Sequence, residues 1–171
     1  MKNRILEVAQ ILFSRCGYAG TSINDIAQQV GTSKAGIYYH FRSKEAILDE
    51  VLSQPMKDLS QLIEQAKKNH FKEEQLLRAY INGIVKSGKV MYELWNDLSI
   101  QDQLQHHQIN EQCEELVYLL AGSQPSESDL VRARAAMAVA QTAIQFIANG
   151  DGSIDKKIQT ELLNAALRVL N

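Results

Sequence analysis

The 171-residue chain has only two cysteines, two prolines, nine glycines and one tryptophan. Each scarcity excludes something. Cys16 and Cys113 cannot build a disulfide framework or a four-cysteine metal site, and a reducing, cytoplasmic compartment fits them best. So few prolines and glycines leave few places to break a helix, and collagen-like and low-complexity architectures are excluded. No apolar run approaches the roughly 18 residues of a membrane span, so no membrane partner is expected. The first residues, Met1-Lys2-Asn3-Arg4, lead into an amphipathic stretch rather than a signal-peptide core. No internal repeat occurs, and no segment sustains the alternation of a strand.

What remains is an ordinary globular composition, 45% apolar and 22% charged, which is too apolar for disorder. The net charge of −2 conceals an asymmetry: residues 1–48 carry +3 and the remaining 123 carry −5. A basic end on an acidic body suits contact with nucleic acid at that end, although +3 over 48 residues is modest and also fits chance.

Periodicity predicts helices throughout. In residues 2–17 Ile5, Ala9, Leu12, Phe13 and Cys16 share one face, and Gly17 stops the helix. Ser22 and Asp25 form a capping box for a helix that turns Ile23, Ile26, Ala27 and Val30 inward and ends at Gly31. Thr32 or Ser33 caps a short helix from Lys34 to about His40, and Ser43 caps one over residues 44–69, with Pro55 as its irregularity. Further helices are expected over residues 72–88, 90–100, 104–121, 127–149 and 154–170, with a second capping box at Ser126 and Asp129. The fold class is therefore all-α, with about nine helices.

Two short helices joined by Gly31-Thr32-Ser33 have helix-turn-helix geometry, in which a glycine permits positive φ and the helices cross steeply. The second would lie in the major groove. Lys34 stands at its exposed start, Ala35 and Gly36 are small enough for close approach, and Ile37 and Phe41 face inward. Tyr38, Tyr39, His40 and Lys44 can reach phosphates or thymine methyls.

The stretch from Ile5 to Leu48, and above all GTSKAGIYYHFRSKEAIL over residues 31–48, resembles the DNA-binding head of the tetracycline-repressor (TetR) family. Beyond residue 50 only the helical layout agrees. The resemblance implies a homodimeric, ligand-responsive regulator, most often a repressor. It implies a three-helix DNA-binding head over residues 1–46 and a helical ligand-binding and dimerisation body over 47–171. The partners would be a double-stranded, pseudo-palindromic DNA operator and a small-molecule effector that releases it. By resemblance, Thr21, Tyr39, His40 and Lys44 contact phosphates, and Thr32, Ser33, Lys34, Ala35, Gly36 and Tyr38 meet bases or the groove. A plain structural role stands beside some of these: Thr21, Thr32 and Ser33 can serve as caps, and Tyr38 can pack within the head.

Two further sets have a double reading. Ala133, Met137, Ala140, Ile144 and Ile147, and in the last helix Ile158, Leu162, Ala165 and Val169, form stripes able to build a four-helix dimer interface; the same stripes suit a monomer core. Tyr80, Met91, Tyr92, Trp95, Cys113, Tyr118 and Phe146 lie on helices that enclose an effector pocket in the resembling family, and a Met/aromatic stripe is equally a plain core. Residues 83–90 imitate a phosphate-binding loop, but Val90 stands where a hydroxyl is needed and no strand precedes it. His107, Glu111 and Glu114, like His106 and Cys113, share a helix face that reads as solvated rather than metal-binding. No cofactor, metal or catalytic cluster is indicated, and an enzyme is not expected. The alternative is an all-α ligand-binding or protein-interaction module without DNA binding.

Overall fold

The structure is a computed structural model that describes residues 1–95, 100, 109–149 and 153–171, and the side chains of all of these except 88–95, 109, 148 and 149. The protein is all-α, with no strand among the described residues. The helices are α1 (Lys2–Cys16), α2 (Ile23–Val30), α3 (Lys34–His40), α4 (Lys44–Asn69), α5 (Glu73–Trp95), α6 (Ile109–Ala121), α7 (Glu127–Gln141), α8 (Ala143–Asn149) and α9 (Lys156–Leu170). The chain divides into two compact units: Met1–Gln54 with Val90–His107, and Pro55–Lys89 with Gln108–Asn171.

In the first unit α1 buries Ile5, Ala9 and Phe13, α2 buries Ile26, Ala27 and Val30, and α3 buries Ile37. Phe41, Ile47, Leu48, Val51 and Leu52 complete this core. Burying a side chain the size of isoleucine contributes roughly 1.5–3 kcal/mol. That matters here because α2 and α3, at 8 and 7 residues, are shorter than a helix that survives alone in water. Cys16, expected on the buried face of α1, is exposed, because the helix ends there and Gly17 turns the chain away at φ 73°. α4 continues through Pro55, which has no N–H to return to the carbonyl one turn earlier.

In the second unit α7 packs chiefly against α9 and also against α6. Its buried positions, Ala133, Ala136, Met137 and Ala140, are mostly small, which allows helix axes to come close. Leu76, Leu77, Ile81, Leu116 and Leu163 fill the same core. The capping box expected at the start of α7 is present: Ser126 Oγ accepts from the Asp129 amide and the Asp129 carboxylate accepts from the Ser126 amide. α4 ends on His70, a non-glycine at φ 48°, where the neighbouring Phe71 amide returns to the Ala66 carbonyl.

Two expected boundaries differ. Residues 73–95 form one helix where the sequence pattern predicts a break before residue 90; Gly88 alone does not interrupt the backbone ladder. The single helix expected over 127–149 is divided at Thr142, whose hydroxyl donates to the Val139 carbonyl at 2.7 Å while its amide bonds back to the same carbonyl at 3.2 Å. Such local back-bonding competes with the regular ladder.

Met137 is 4% exposed within the protomer. Met137→Ala is expected to lower stability by about 2–5 kcal/mol. The loss, read from urea denaturation, should not change with protein concentration, as befits a group in the protomer's own core.

Candidate nucleic-acid interface

The turn between α2 and α3 is fixed by backbone chemistry. Gly31 is left-handed at φ 81°, and its amide and that of Thr32 return to the Ala27 carbonyl at 3.0 and 2.9 Å. Ser33 is the residue that caps α3, its Oγ accepting from the Gly36 amide at 3.1 Å. Gly36 packs closely on Thr32: a Cβ on it would stand 2.3 Å from Thr32 Oγ1, so that hydroxyl would have to rotate away. The small side chain at that position thus serves packing within the turn as well as any close approach by a ligand.

With Ile37 fully buried and Phe41 5% exposed, the rest of α3 points outward. Lys34 and Ala35 are exposed, Tyr38 is 52% and Tyr39 85% exposed, and His40 is half-buried with its ring edge-on to Tyr39 at 5.1 Å between centroids. Ser33 is exposed and Thr32 half-buried. α3 therefore brings Lys34, Ala35, Tyr38 and Tyr39 together on one short solvent-facing segment. Thr21 is placed differently. It is 2% exposed and donates its hydroxyl to the Gly17 carbonyl at 2.8 Å. Lys44 is also engaged, its Nζ donating to the carbonyls of Tyr18 and Thr21. Tyr18 and Glu45, which the sequence does not mark as site residues, stand beside this contact, the Tyr18 hydroxyl donating to Glu45 Oε1 at 3.1 Å; bonds from Lys44 to main-chain carbonyls leave no trace in residue type.

The other predicted sets scatter. Tyr80 and Cys113 lie side by side within the second unit, with Gln141 Nε2 donating to the Tyr80 hydroxyl at 3.2 Å. Burial, more than the nearby thiol, pushes the Tyr80 phenol above its usual range, and burial likewise raises the Cys113 thiol. Tyr118 and Phe146 are half exposed, at 51% and 49%. The side chains of Met91, Tyr92 and Trp95 lie outside the described residues, as do His106 and His107. Of the two helix stripes, Ala133, Met137, Ala140, Ile147 and Leu162 are buried within the protomer, Ile144, Ile158 and Ala165 are half-buried, and Val169 is exposed. Among the described residues no three of His, Cys, Asp and Glu cluster as a metal site, and no helix is long and apolar enough to cross a membrane.

A basic-ended, outward-facing second helix on a three-helix scaffold defines an N-terminal helix-turn-helix. Residues 5–51 match the family described as bacterial regulatory proteins, tetR family. Over 50 residues the chain is 48% identical to the biofilm operon icaADBC HTH-type negative transcriptional regulator IcaR of Staphylococcus aureus (strain Newman), a match covering 29% of this chain and 27% of that protein. The chain thus spans about a quarter of the length of such curated relatives. The crystal structure of a transcriptional regulator (TerR/AcrR family) from Aquifex aeolicus VF5 is similar over 99% of both chains, with 25% identity and a TM-score of 0.81. The TetR family transcriptional regulator PfmR from Thermus thermophilus is similar over 98% of this chain and 97% of its own, with 25% identity and a TM-score of 0.72. Residues 5–51 thus match the tetR-family model, and the fold of the chain as a whole is similar to that of solved regulators of this kind.

The α2 cap gives a pH signature. Hydrogen bonds from the Ser22 hydroxyl and then the Ser22 amide hold the Asp25 carboxyl below its ordinary range. A depressed folded-state value means that the stabilisation is complete above the unfolded carboxyl's pKa, near about 4, and is lost as pH falls through the lower folded value. Carboxyl-detected NMR titration should therefore place Asp25 below an unstructured aspartate, and Ser22→Ala should return it toward the ordinary value.

Proposed function

We propose that the protein is a homodimeric, ligand-responsive DNA-binding regulator, acting as a repressor on a pseudo-palindromic operator in the cytoplasm. The observation that carries this reading is the outward face of α3, where Lys34, Ala35, Tyr38 and Tyr39 are exposed on a helix whose other face is locked by Ile37 and Phe41. Major-groove reading needs such a helix, with its N-terminal residues toward the bases. In this reading residues 1–46 are the DNA-binding head and 47–171 the ligand-binding and dimerisation body. Lys34, Ala35, Gly36 and Tyr38 meet the groove with Thr32 and Ser33 at its rim, and Tyr39 and His40 meet phosphates. Repression is supported by the name of the IcaR relatives, which are negative regulators.

One head makes few base contacts, so two heads on half-sites about 34 Å apart give the needed affinity. The partly exposed positions Ile144, Ile158, Ala165 and Val169, with Phe146, supply apolar surface on the helices proposed for dimerisation, while the buried members of those stripes shape them from within. The effector is proposed to bind among the aromatic side chains of the body. Binding energy that differs between DNA-bound and released conformations, typically about 1–3 kcal/mol, sets how far it can shift the equilibrium.

The test is fluorescence anisotropy on DNA from the protein's own promoter region, over a range of salt concentrations. Affinity is expected to fall linearly on logarithmic axes with salt. Lys34→Ala combined with Tyr39→Ala should weaken binding at least about ten-fold and make the slope shallower, with sedimentation unchanged. Wild-type protein that ignores the fragment in dilute buffer would count against the assignment.

A further inference from the structure

We propose that the body holds a polar anchor for its effector at the seam of α4 and α6, where the Gln112 side-chain carbonyl takes a hydroxyl or N–H of a neutral, largely apolar molecule. The inference rests on the ligand-binding reading of residues 47–171 and deepens it by naming the ligand's chemistry. Gln112 Oε1 is buried and accepts no hydrogen bond. The amide nitrogen is committed: Nε2 donates to Ser60 Oγ at 2.8 Å, and Ser60 donates its one proton to the Met56 carbonyl at 3.0 Å. Because that proton is already used, the amide must meet Ser60 with its N–H, and its oxygen is left with both lone pairs open.

Among the described residues only Ser14 Oγ shares this condition. A serine hydroxyl within a helix can rotate to a carbonyl of its own preceding turn, whereas an amide oxygen needs a donor brought to it. The Tyr80 phenol, buried in the same unit, already accepts from Gln141 Nε2 at 3.2 Å. Leaving a buried acceptor unpaired is costly, so a donor that reaches Gln112 removes a penalty that the protein otherwise carries. Water and a ligand hydroxyl offer the same donor chemistry.

The surroundings select the rest of the molecule. Ile63, one turn from Ser60 on α4, and Leu116, one turn from Gln112 on α6, are buried at 3% and 0% exposure, so both polar groups stand on core-facing stripes. An apolar body is therefore favoured beside the anchor. Charges that bridge these helices are already matched. Lys86 on α5 pairs with Asp58 on α4 at 2.6 Å, and Lys67 on α4 pairs with Glu115 on α6. A charged ligand would be buried against a neutral amide with no counter-ion of its own. α4 runs from Lys44 in the first unit to Asn69 in the second, so a molecule held beside Ser60 acts on a helix that continues into the first unit.

Two measurements on the whole protein decide this. The first is an NMR titration of the wild type with a matched pair of small probes, benzyl alcohol and benzyl methyl ether, and with benzylammonium as the charged counterpart. The alcohol is expected to bind about ten-fold more tightly than the ether, the difference made by one hydrogen bond to a buried acceptor. It should exceed benzylammonium by at least about as much. The side-chain carbonyl carbon of Gln112 should shift with the alcohol and stay in place with the ether. The second repeats the titration on Gln112→Met, which should bind the ether as the wild type does and the alcohol no more tightly than the ether. Equal binding of alcohol and ether by the wild type, or no binding of either, would mean that water alone meets Gln112 and would overturn the proposal. An ammonium that binds as tightly as the alcohol would overturn it too. If Gln112→Met does not fold, the carbonyl resonance of the wild type carries the decision. None of these readouts involves DNA, so a wild type that binds the alcohol yet ignores promoter DNA counts against the functional reading and not against the anchor.

Discussion

The head depends on one requirement: the free amides and carbonyls at the ends of its short helices must find partners inside the protein. Helices of 8 and 7 residues do not persist on their own. Here Asp25 and Ser22 close the start of α2, Gly31 closes its end, Ser33 closes the start of α3, and Lys44 takes two carbonyls of the turn before α2. Burial of Ile26 and Ile37 supplies the driving force, but the caps decide where each helix begins and therefore which side chains face outward.

The body solves a different problem. Its central helix, α7, is rich in alanine, so it contributes little apolar area per residue and instead permits close approach of α9 and α6. Larger side chains on the surrounding helices fill the space. The polar contact between Gln141 and Tyr80 sits at the end of α7, next to the residue where the helix is interrupted. A neutral hydrogen bond of this kind satisfies the phenol without placing a charge in the core.

Much of this was legible in the sequence. Capping boxes announce themselves by residue type and three-residue spacing, so the starts of α2 and α7 were predictable to the residue. Ile37 and Phe41 were predictable as inward from their four-residue spacing. Chain breaks were less legible. Gly88 resembles a helix stop yet lies within α5, and Thr142 resembles an ordinary helical residue yet divides α7 from α8. Glycine weakens a helix without ending it, whereas a hydroxyl bonding to a nearby carbonyl depends on a rotamer that sequence does not specify. The stripes from Ala133 to Ile147 showed that a face would be buried but not by which neighbour, since a core and an interface ask for the same residues. Thr21 and Lys44 carried a family expectation of phosphate contact; their main-chain partners emerge only once Gly17, Tyr18 and Thr21 are placed in space.

The division of labour within α3 has a consequence for how such a protein diversifies. Ser33, Gly36, Ile37 and Phe41 secure the helix, while Lys34, Ala35, Tyr38 and Tyr39 contribute little to keeping it folded. The scaffold and the message it carries are therefore written in separate letters. On the DNA-reading role proposed above, substitutions among the outward four would readdress the protein to a new target while Ser33, Ile37 and Phe41 keep the helix folded, so descendants of one ancestral head would drift across many targets and remain foldable at every step.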